Sequence, residues 1–542
     1  MQRRTFLAAC GAAPLRAQPA RKPNVVLILT DDQGYGDLSL HGNDKLKTPN
    51  MDSIGKDGLQ FTQFHVNPVC SPTRSSMLTG RYYYRTGVVD TYLGRSMMYP
   101  DEVTLAEMLG GAGYRTGIFG KWHLGDHYPL RTIDQGFQES VVCTGGGLTQ
   151  PSDPPGNTYF DPILMHNGKE QKYRGYCTDI FAAAAMEFIE QNKNRPFFAY
   201  IPTNAPHAPL QIDESYVAPF RAMGLDDTTA RIYGMVANLD ENIGRVLAKL
   251  KVLNLEQDTI VLFITDNGPQ QQRYNAGMRG RKASVYEGGI RVPCFVRWPR
   301  MVKAGRKVDR LAAHIDILPT LLEACGVAKP ATSPKIDGRS LMPLIRDGKA
   351  AWTDRTIYFQ WHRGDVPELY RACAARNQRY KLVDGKELYD VEADPAESRN
   401  IAAENPAIVA SMRKGYEEWF RDMAATRNNG FEPPRIHLGS EFENPVTLTR
   451  QDWREEGAAG HWHVQVARTG RYEVTLRMPA VAAAGEARFR LNGVTLKQPV
   501  AKGATSCTFE ASTFEAGPGR LEALIQSGSK AAAANYVDVK RL

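Results

Sequence analysis

Apart from a short N-terminal stretch, no run in this chain approaches the roughly eighteen apolar residues of a membrane span, so no bilayer-crossing segment is expected. The eight cysteines, Cys10, Cys70, Cys143, Cys177, Cys294, Cys325, Cys373 and Cys507, are scattered and lack zinc-type spacing. Nothing in their order says which of them pair, and buried free thiols remain open as the alternative. No lysine-rich run marks a nucleic-acid arm, and neither an internal repeat nor a low-complexity tract is evident. The net charge of +8 is mild for 542 residues and fits an enzyme for anionic substrates as well as many other proteins. With 42% hydrophobic and 23% charged residues the chain has enough apolar surface to fold, and its length calls for two or more domains.

The first twenty residues hold Arg3-Arg4 before Thr5-Phe6-Leu7 and then a short alanine-rich apolar run. This reads as an export signal, destined for the periplasm or the exterior. The arginine pair is similar to twin-arginine signals, which carry folded proteins. Leu7-Ala8-Ala9-Cys10 also resembles a lipoprotein box, but too little apolar sequence precedes Cys10, so soluble export ranks above a lipid anchor.

Cys70-Ser71-Pro72-Thr73-Arg74, followed by Thr79-Gly80, matches the recognition sequence for converting cysteine to formylglycine. The pentapeptide alone is only suggestive, whereas the extended pattern is specific. Pro72 suits the first position of a helix, which would put Cys70 just before a helix end whose free amides favour an anion. Arg74 adds a permanent planar cation suited to an oxyanion. A lone cysteine would otherwise be read as buried packing.

Four short apolar runs look like buried strands of a parallel sheet, and each ends in polar residues of catalytic type. Asn24–Thr30 leads into Asp31-Asp32, Thr116–Gly120 into Lys121-Trp122-His123, Pro196–Ile201 into Asn204-Ala205-Pro206-His207, and Thr259–Thr265 into Asp266-Asn267-Gly268. Helical patterns at Val103–Gly110, Ile180–Gln191 and Ala230–Leu250 lie between them, which predicts an α/β domain with helices on both faces. Ligands of such sheets collect beyond the carboxyl ends of the strands, so the four tails should meet. Asp31, Asp32, Asp266 and Asn267 then offer the hard oxygen ligands that calcium or magnesium prefers. Taken singly, Asp-Asn pairs also serve as caps and turns; together, adjacent carboxylates call for a cation. Lys121, His123, His207 and Lys282 would supply donors and proton-transfer groups, although any one of them alone has an ordinary structural reading.

These motifs, with Asp31–Asp37, Thr48–Asp52 and the Glu287–Pro293 segment, resemble the type I sulfatases of the alkaline phosphatase superfamily, especially the arylsulfatase A and B and N-acetylgalactosamine-sulfatase branch. The resemblance covers roughly Lys22 to Asn400. It implies an alkaline-phosphatase-like mixed sheet flanked by helices, a smaller antiparallel α+β subdomain, and hydrolysis of sulfate esters. It further implies one Ca2+ held by Asp31, Asp32, Asp266, Asn267 and modified residue 70, with formylglycine made from Cys70 by a formylglycine-generating enzyme. Arg74 and Lys121 would bind sulfate oxygens, His207 with Lys282 would protonate the leaving oxygen, and His123 would take a proton from the second hydroxyl of the hydrated aldehyde. The expected substrate is a sulfated carbohydrate or aryl sulfate, selected by loops such as Leu148–Lys172 and Trp361–Tyr370. A phosphodiesterase or phosphonate monoester hydrolase of the same superfamily and a non-catalytic glycan-binding protein are the alternatives.

The expected boundaries are a signal at 1–20, a catalytic domain at 21–345, a subdomain at 346–427 ending in a helix at Pro406–Met423, and an accessory β-sandwich at 435–542. The last is read from alternating runs such as His461–Val466, Arg471–Arg477 and Ala487–Leu491, with Asn492-Gly493 as a hairpin turn. Aromatics exposed on it could bind a glycan; equally, it could pack beside the active site.

Overall fold

A computed structural model of the protein describes residues 22–427, 429–456 and 459–542; the export segment expected at 1–20, Cys10 included, lies outside them. Ten strands form the main sheet in the order Arg306–Val308, Leu59–Phe61, Cys294–Arg297, Thr259–Thr265, Asn24–Thr30, Phe197–Pro202, Arg115–Lys121, Glu139–Cys143, Ile163–His166 and Lys169–Lys172. The five from Thr259–Thr265 to Glu139–Cys143 run parallel. Antiparallel pairings flank them on both sides.

All seven residues of Asn24–Thr30 are buried, because successive side chains alternate between two covered faces. Val25, Leu27 and Leu29 share one core with Met77 and Leu78 of the helix Cys70–Thr79 and with Leu318 and Leu321 of Ile317–Ala324. Val26 and Ile28 share the other with Ile180 and Phe181 of Cys177–Gln191 and with Leu239 and Ile243 of Asp227–Val252. Capping explains the shifts from the expected helix ends. Thr104 and Glu107 form a reciprocal capping box that starts the first of these helices at Leu105, and Asp226 accepts from the Thr229 amide at 3.0 Å, which starts the long helix three residues ahead of its apolar pattern.

Beyond the main sheet, Ile357–Gln360, Cys373–Arg376, Tyr380–Val383 and Glu387–Asp390 make an antiparallel meander, over which the helix Pro406–Ala424 lays Met412, Tyr416, Trp419 and Met423. The C-terminal strands form a sandwich of a seven-stranded and a five-stranded sheet. Its expected hairpin joins Gly485–Leu491 to Val494–Val500, with φ of 48° at Asn492 and 83° at Gly493, the left-handed pair that a two-residue turn needs.

Two expectations are corrected here. Most large aromatics of the sandwich are not on its surface: Trp453, Trp462, Tyr472, Phe489, Phe509 and Phe514 fill its interior, where apolar area is best buried, while Phe442 is exposed. Leu93, Met97 and Leu130 of the α/β part join that same core, so the sandwich packs against the catalytic region. The second half of the Leu148–Lys172 loop is a strand pair at the far edge of the main sheet rather than a wall of the crevice. The described cysteines are all free and buried. Among the described residues no helix is long and apolar enough to cross a membrane.

Candidate active site

The four strands singled out in the sequence are immediate neighbours, in the order Thr259–Thr265, Asn24–Thr30, Phe197–Pro202, Arg115–Lys121, and being parallel they end on one side. Their tails are stitched together by backbone hydrogen bonds: Asp266 N donates to Thr30 O at 3.0 Å, Thr203 N to Leu29 O at 2.9 Å, and Asp31 N to Ala205 O at 3.1 Å. Those three tails are thus positioned by backbone bonds before any side chain contributes.

Cys70 is the first residue of the helix Cys70–Thr79, and Pro72 the third, which corrects the expectation that Cys70 precedes the helix and Pro72 opens it. The change is small, because no amide of the first turn has an acceptor within the helix and proline loses nothing there. All ten residues of this helix are buried. Burial pushes the Cys70 thiol up despite Lys121 and Lys282, so an unmodified Cys70 is a protonated, poor nucleophile.

Arg74 is fully buried and each of its three side-chain nitrogens donates. It reaches Asp266 at 2.8 and 3.2 Å, Asp31 at 3.3 Å and the Lys121 carbonyl at 2.8 Å. Its partners are two carboxylates and a backbone carbonyl. Lys121 pairs with Asp31, and Lys282 with Asp32 at 2.6 Å. Burial raises the Asp31 carboxyl, but Lys121, His207, Arg74 and Lys282 outweigh it and hold Asp31 below the usual range. Asp266 goes the other way, pushed up to about 7 by burial and by Asp31.

The two histidines are oriented by carbonyls, and because a carbonyl only accepts, each such bond identifies the protonated nitrogen. His207 donates from Nδ1 to Ala208 O at 2.6 Å, which leaves Nε2 on the side of Asp32, 3.7 Å away. His123 donates from Nε2 to Thr91 O at 2.6 Å, and its buried Nδ1 has no partner. Burial, reinforced by Lys121, lowers the His123 pKa well below its ordinary value and keeps the ring neutral.

Ligating atoms of Asp31, Cys70 and Asp266 lie within 4.8 Å of one another, as do those of Asp31, Asp32 and His207. Asp31 Oδ1, Asp32 Oδ2 and Asn267 Oδ1 are buried and accept no hydrogen bond, although unsatisfied buried oxygens are costly. Asn267 spends its Nδ2 on Asp32 Oδ1 at 2.8 Å, which leaves its oxygen bare. An oxygen-rich, partly unsatisfied, carboxylate-dominated set fits a hard cation such as calcium. Arg74, Lys121 and Lys282 already match Asp31, Asp32 and Asp266 in charge, so a divalent cation would make the centre positive and suited to an anion.

Sequence reasoning missed the residues that hold this set in place. Arg273 donates to Asp32 O at 2.9 Å and to Asp37 Oδ1 at 2.8 Å, bracing the turn after the first strand; only Asp37, at the end of its motif, hinted at a partner. Gln451, from the sandwich, donates to Thr91 O at 3.0 Å, the carbonyl that orients His123, and no local signal announces it. A cleft of about 520 Å³ opens from Lys282 past Val69, Thr91, Trp361 and Arg363. The expected Trp361–Tyr370 loop does line this cleft.

A family model described as Sulfatase matches residues 23–327, and one described as N-sulphoglucosamine sulphohydrolase, C-terminal, matches residues 280–421. N-acetylgalactosamine-6-sulfatase of Canis lupus familiaris is 32% identical over 395 residues, which cover 67% of this chain and 72% of that protein. Arylsulfatase A of Homo sapiens is 30% identical over 435 residues, covering 73% and 82%. Among solved structures, Ps i-CgsB in complex with k-i-k-neocarrahexaose superimposes with a TM-score of 0.68 at 29% identity, covering 74% of this chain and 93% of that one.

Proposed function

Since this chain belongs to the sulfatase family and hydrolyses sulfate esters, we propose that it acts on sulfated glycans with a calcium ion and a formylglycine made from Cys70 by a maturation enzyme. The observation that carries this reading is the convergence of Cys70, at the head of a buried helix, with the bare oxygens of Asp31, Asp32 and Asn267 and with Asp266. Those four side chains and residue 70 would hold the calcium. When present, the ion supplies charge for binding sulfate, and the hydrated aldehyde supplies an oxygen nucleophile that a thiol does not.

The remaining roles fall to side chains whose geometry is already set. Arg74 pairs with Asp31 and Asp266; it helps hold Asp31 charged in a buried site and offsets part of what burial and Asp31 do to Asp266. Lys121 and Lys282 draw the sulfate oxygens toward the centre. His207 donates to the departing alcohol oxygen from its doubly protonated form: Nδ1–H stays on Ala208 O, Nε2 gives up the second proton, and the ring returns to neutral, with Asp32 beside Nε2 offsetting the imidazolium charge. His123 accepts a proton at Nδ1, the nitrogen that its bond to Thr91 leaves free.

The sugar class is supported by the open polar cleft with Trp361 on its wall, and by relatives whose names specify sulfated amino sugars. Export through the twin-arginine segment, and the division into units at 21–345, 346–427 and 435–542, complete the proposal. A phosphodiesterase is disfavoured, because the two relatives named above, at 32% and 30% identity, are sulfatases.

The test starts with the intact mass of the peptide bearing residue 70, from protein matured with a formylglycine-generating enzyme. It then measures sulfate release from an aryl sulfate and from sulfated oligosaccharides, beside an aryl phosphate diester. The aldehyde, sulfate release dependent on it, and loss of activity by a factor of about 10³ or more in Cys70→Ala are expected. Faster cleavage of the diester, or a fully active thiol form, defeats the proposal.

A further inference from the structure

The cleft that opens from Lys282 carries more positive charge than one sulfate group needs. Arg281, Lys282 and Arg363 line it, and no carboxylate does. Lys282 is turned inward onto Asp32 at 2.6 Å. Among the described residues, neither of the other two cations spends a side-chain N–H on a hydrogen bond. Arg281 is exposed and its side chain has no hydrogen bond or ion pair among the described residues. Arg363 is half exposed, and its nearest carboxylate, Asp90, stands 3.9 Å away, beyond hydrogen-bond reach.

What holds Arg363 in the cleft is ring contact rather than hydrogen bonding. Its guanidinium lies 4.9 Å from the centre of the Tyr92 ring and 5.8 Å from that of Trp361. Cation–π contacts of this kind place the group while leaving its N–H donors available. Trp361 is itself fixed, since its indole Nε1 donates to the buried Asp90 at 3.1 Å. The result is an anchored aromatic wall beside two guanidinium forks, one step outward from the reaction centre. A sugar face suits the indole, and a planar or tetrahedral oxyanion suits the forks.

The geometry points to a second oxyanion subsite: Arg281 and Arg363 bind a sulfate or carboxylate carried by the sugar residue next to the scissile ester, with that residue lying against Trp361. The substrate is then a polyanionic glycan with charge on neighbouring residues rather than a singly sulfated sugar. This inference rests on the sulfatase reading of the centre and adds to it where specificity lies.

Three disaccharides with the same scissile sulfate test it: one without another anion, one with a second sulfate on the neighbouring ring, and one with a uronate there. Wild-type kcat/KM should favour an anion-bearing disaccharide by about tenfold or more, the worth of one charge-assisted pair. Preference for both anions, or for either one, supports the subsite, and the pattern tells sulfate from carboxylate. In the double variant Arg281→Ala/Arg363→Ala that ratio should fall to about one, with a melting temperature measured alongside to show that the protein is folded. Calorimetry on Cys70→Ala protein should rank the same ligands in the same order without any turnover. Equal kcat/KM for all three in the wild type, or a preference that survives in the folded double variant, overturns the subsite. Should matured wild type release sulfate from none of them while calorimetry still ranks them, the proposed sugar substrate fails and the anion subsite stands.

Discussion

Asp32 and His123 share a backbone conformation that side chains rarely adopt, with φ of 60° and 62°. Such residues cost ~1–3 kcal/mol each and persist where their surroundings overdetermine them. At Asp32 the surroundings are visible: its amide donates to Asp266 Oδ1 at 3.2 Å and its carbonyl accepts from Arg273 at 2.9 Å. The twist delivers the carboxylate to Asn267 and Lys282 and leaves Oδ2 bare. Asn267 is the informative residue to remove, because it contributes a neutral oxygen and adds no charge to the centre. Asn267→Ala is expected to weaken calcium binding by about tenfold or more and to shrink the rise in melting temperature that calcium gives the wild type. Thermal melts of the unmodified protein with calcium and with a chelator measure this without any turnover. A wild-type melting temperature indifferent to calcium rules out the metal site.

At the scale of elements, the sheet does what chemistry at scattered positions cannot do alone. Residues separated by more than two hundred positions, such as Asp31 and Asp266, become neighbours because Asn24–Thr30 and Thr259–Thr265 pair in parallel register, Thr30 opposite Thr265. Gly120 shows how tight that assembly is: its φ is 141°, and a Cβ there would lie 1.9 Å from Pro202 O on the adjoining strand, so the residue before Lys121 has to be glycine. Much of this was legible in sequence. Continuous apolar runs announced buried parallel strands, and polar residues at their ends announced the site, because in a parallel sheet the end of a strand is also the mouth of the crevice. Arg273, Thr91 and Gln451 were not legible, since each acts through a single side chain or carbonyl whose partner is fixed only by the fold. Arg74 was legible as a site residue but not in its partners: nothing in the local motif says that two carboxylates and the Lys121 carbonyl will occupy its donors.

For the whole molecule the question is what the C-terminal sandwich contributes, since neither matching family model reaches beyond residue 421. One part of its seam is titratable. His127 meets Glu443 at 3.1 Å and Asp452 at 3.5 Å, and although burial alone would lower it, Glu443, Asp452 and Asp126 push its pKa from 6.5 up to about 9. A pKa raised on folding stabilises fully below the ordinary value and is lost as pH climbs through the folded one. The wild type should therefore lose on the order of 2 kcal/mol between about pH 6.5 and pH 9.5, and His127→Gln should lose less, as read from melting temperatures across that range. A wild-type curve flat over this interval refutes the assignment. The other part of the seam reaches the chemistry. Gln451 Nε2 donates to Thr91 O at 3.0 Å and to Ser96 Oγ at 3.1 Å, while Gln451 O accepts from Gly94 N at 2.8 Å. Thr91 O also accepts from His123 Nε2 at 2.6 Å, so the sandwich grips the carbonyl that orients the proposed base. Gln451 is thereby a positioning residue acting through Thr91. Gln451→Glu keeps the shape but replaces the donor with an acceptor, so two oxygens would face each other at Thr91. It should lower kcat by about tenfold with KM little changed, whereas a general loosening of the cleft would move both. Ser96→Ala removes the other acceptor of Gln451 and leaves Thr91 untouched, so its kcat should stay within about twofold of wild type. If the two variants lose kcat equally, the loop as a whole and not the Thr91 carbonyl links the sandwich to His123.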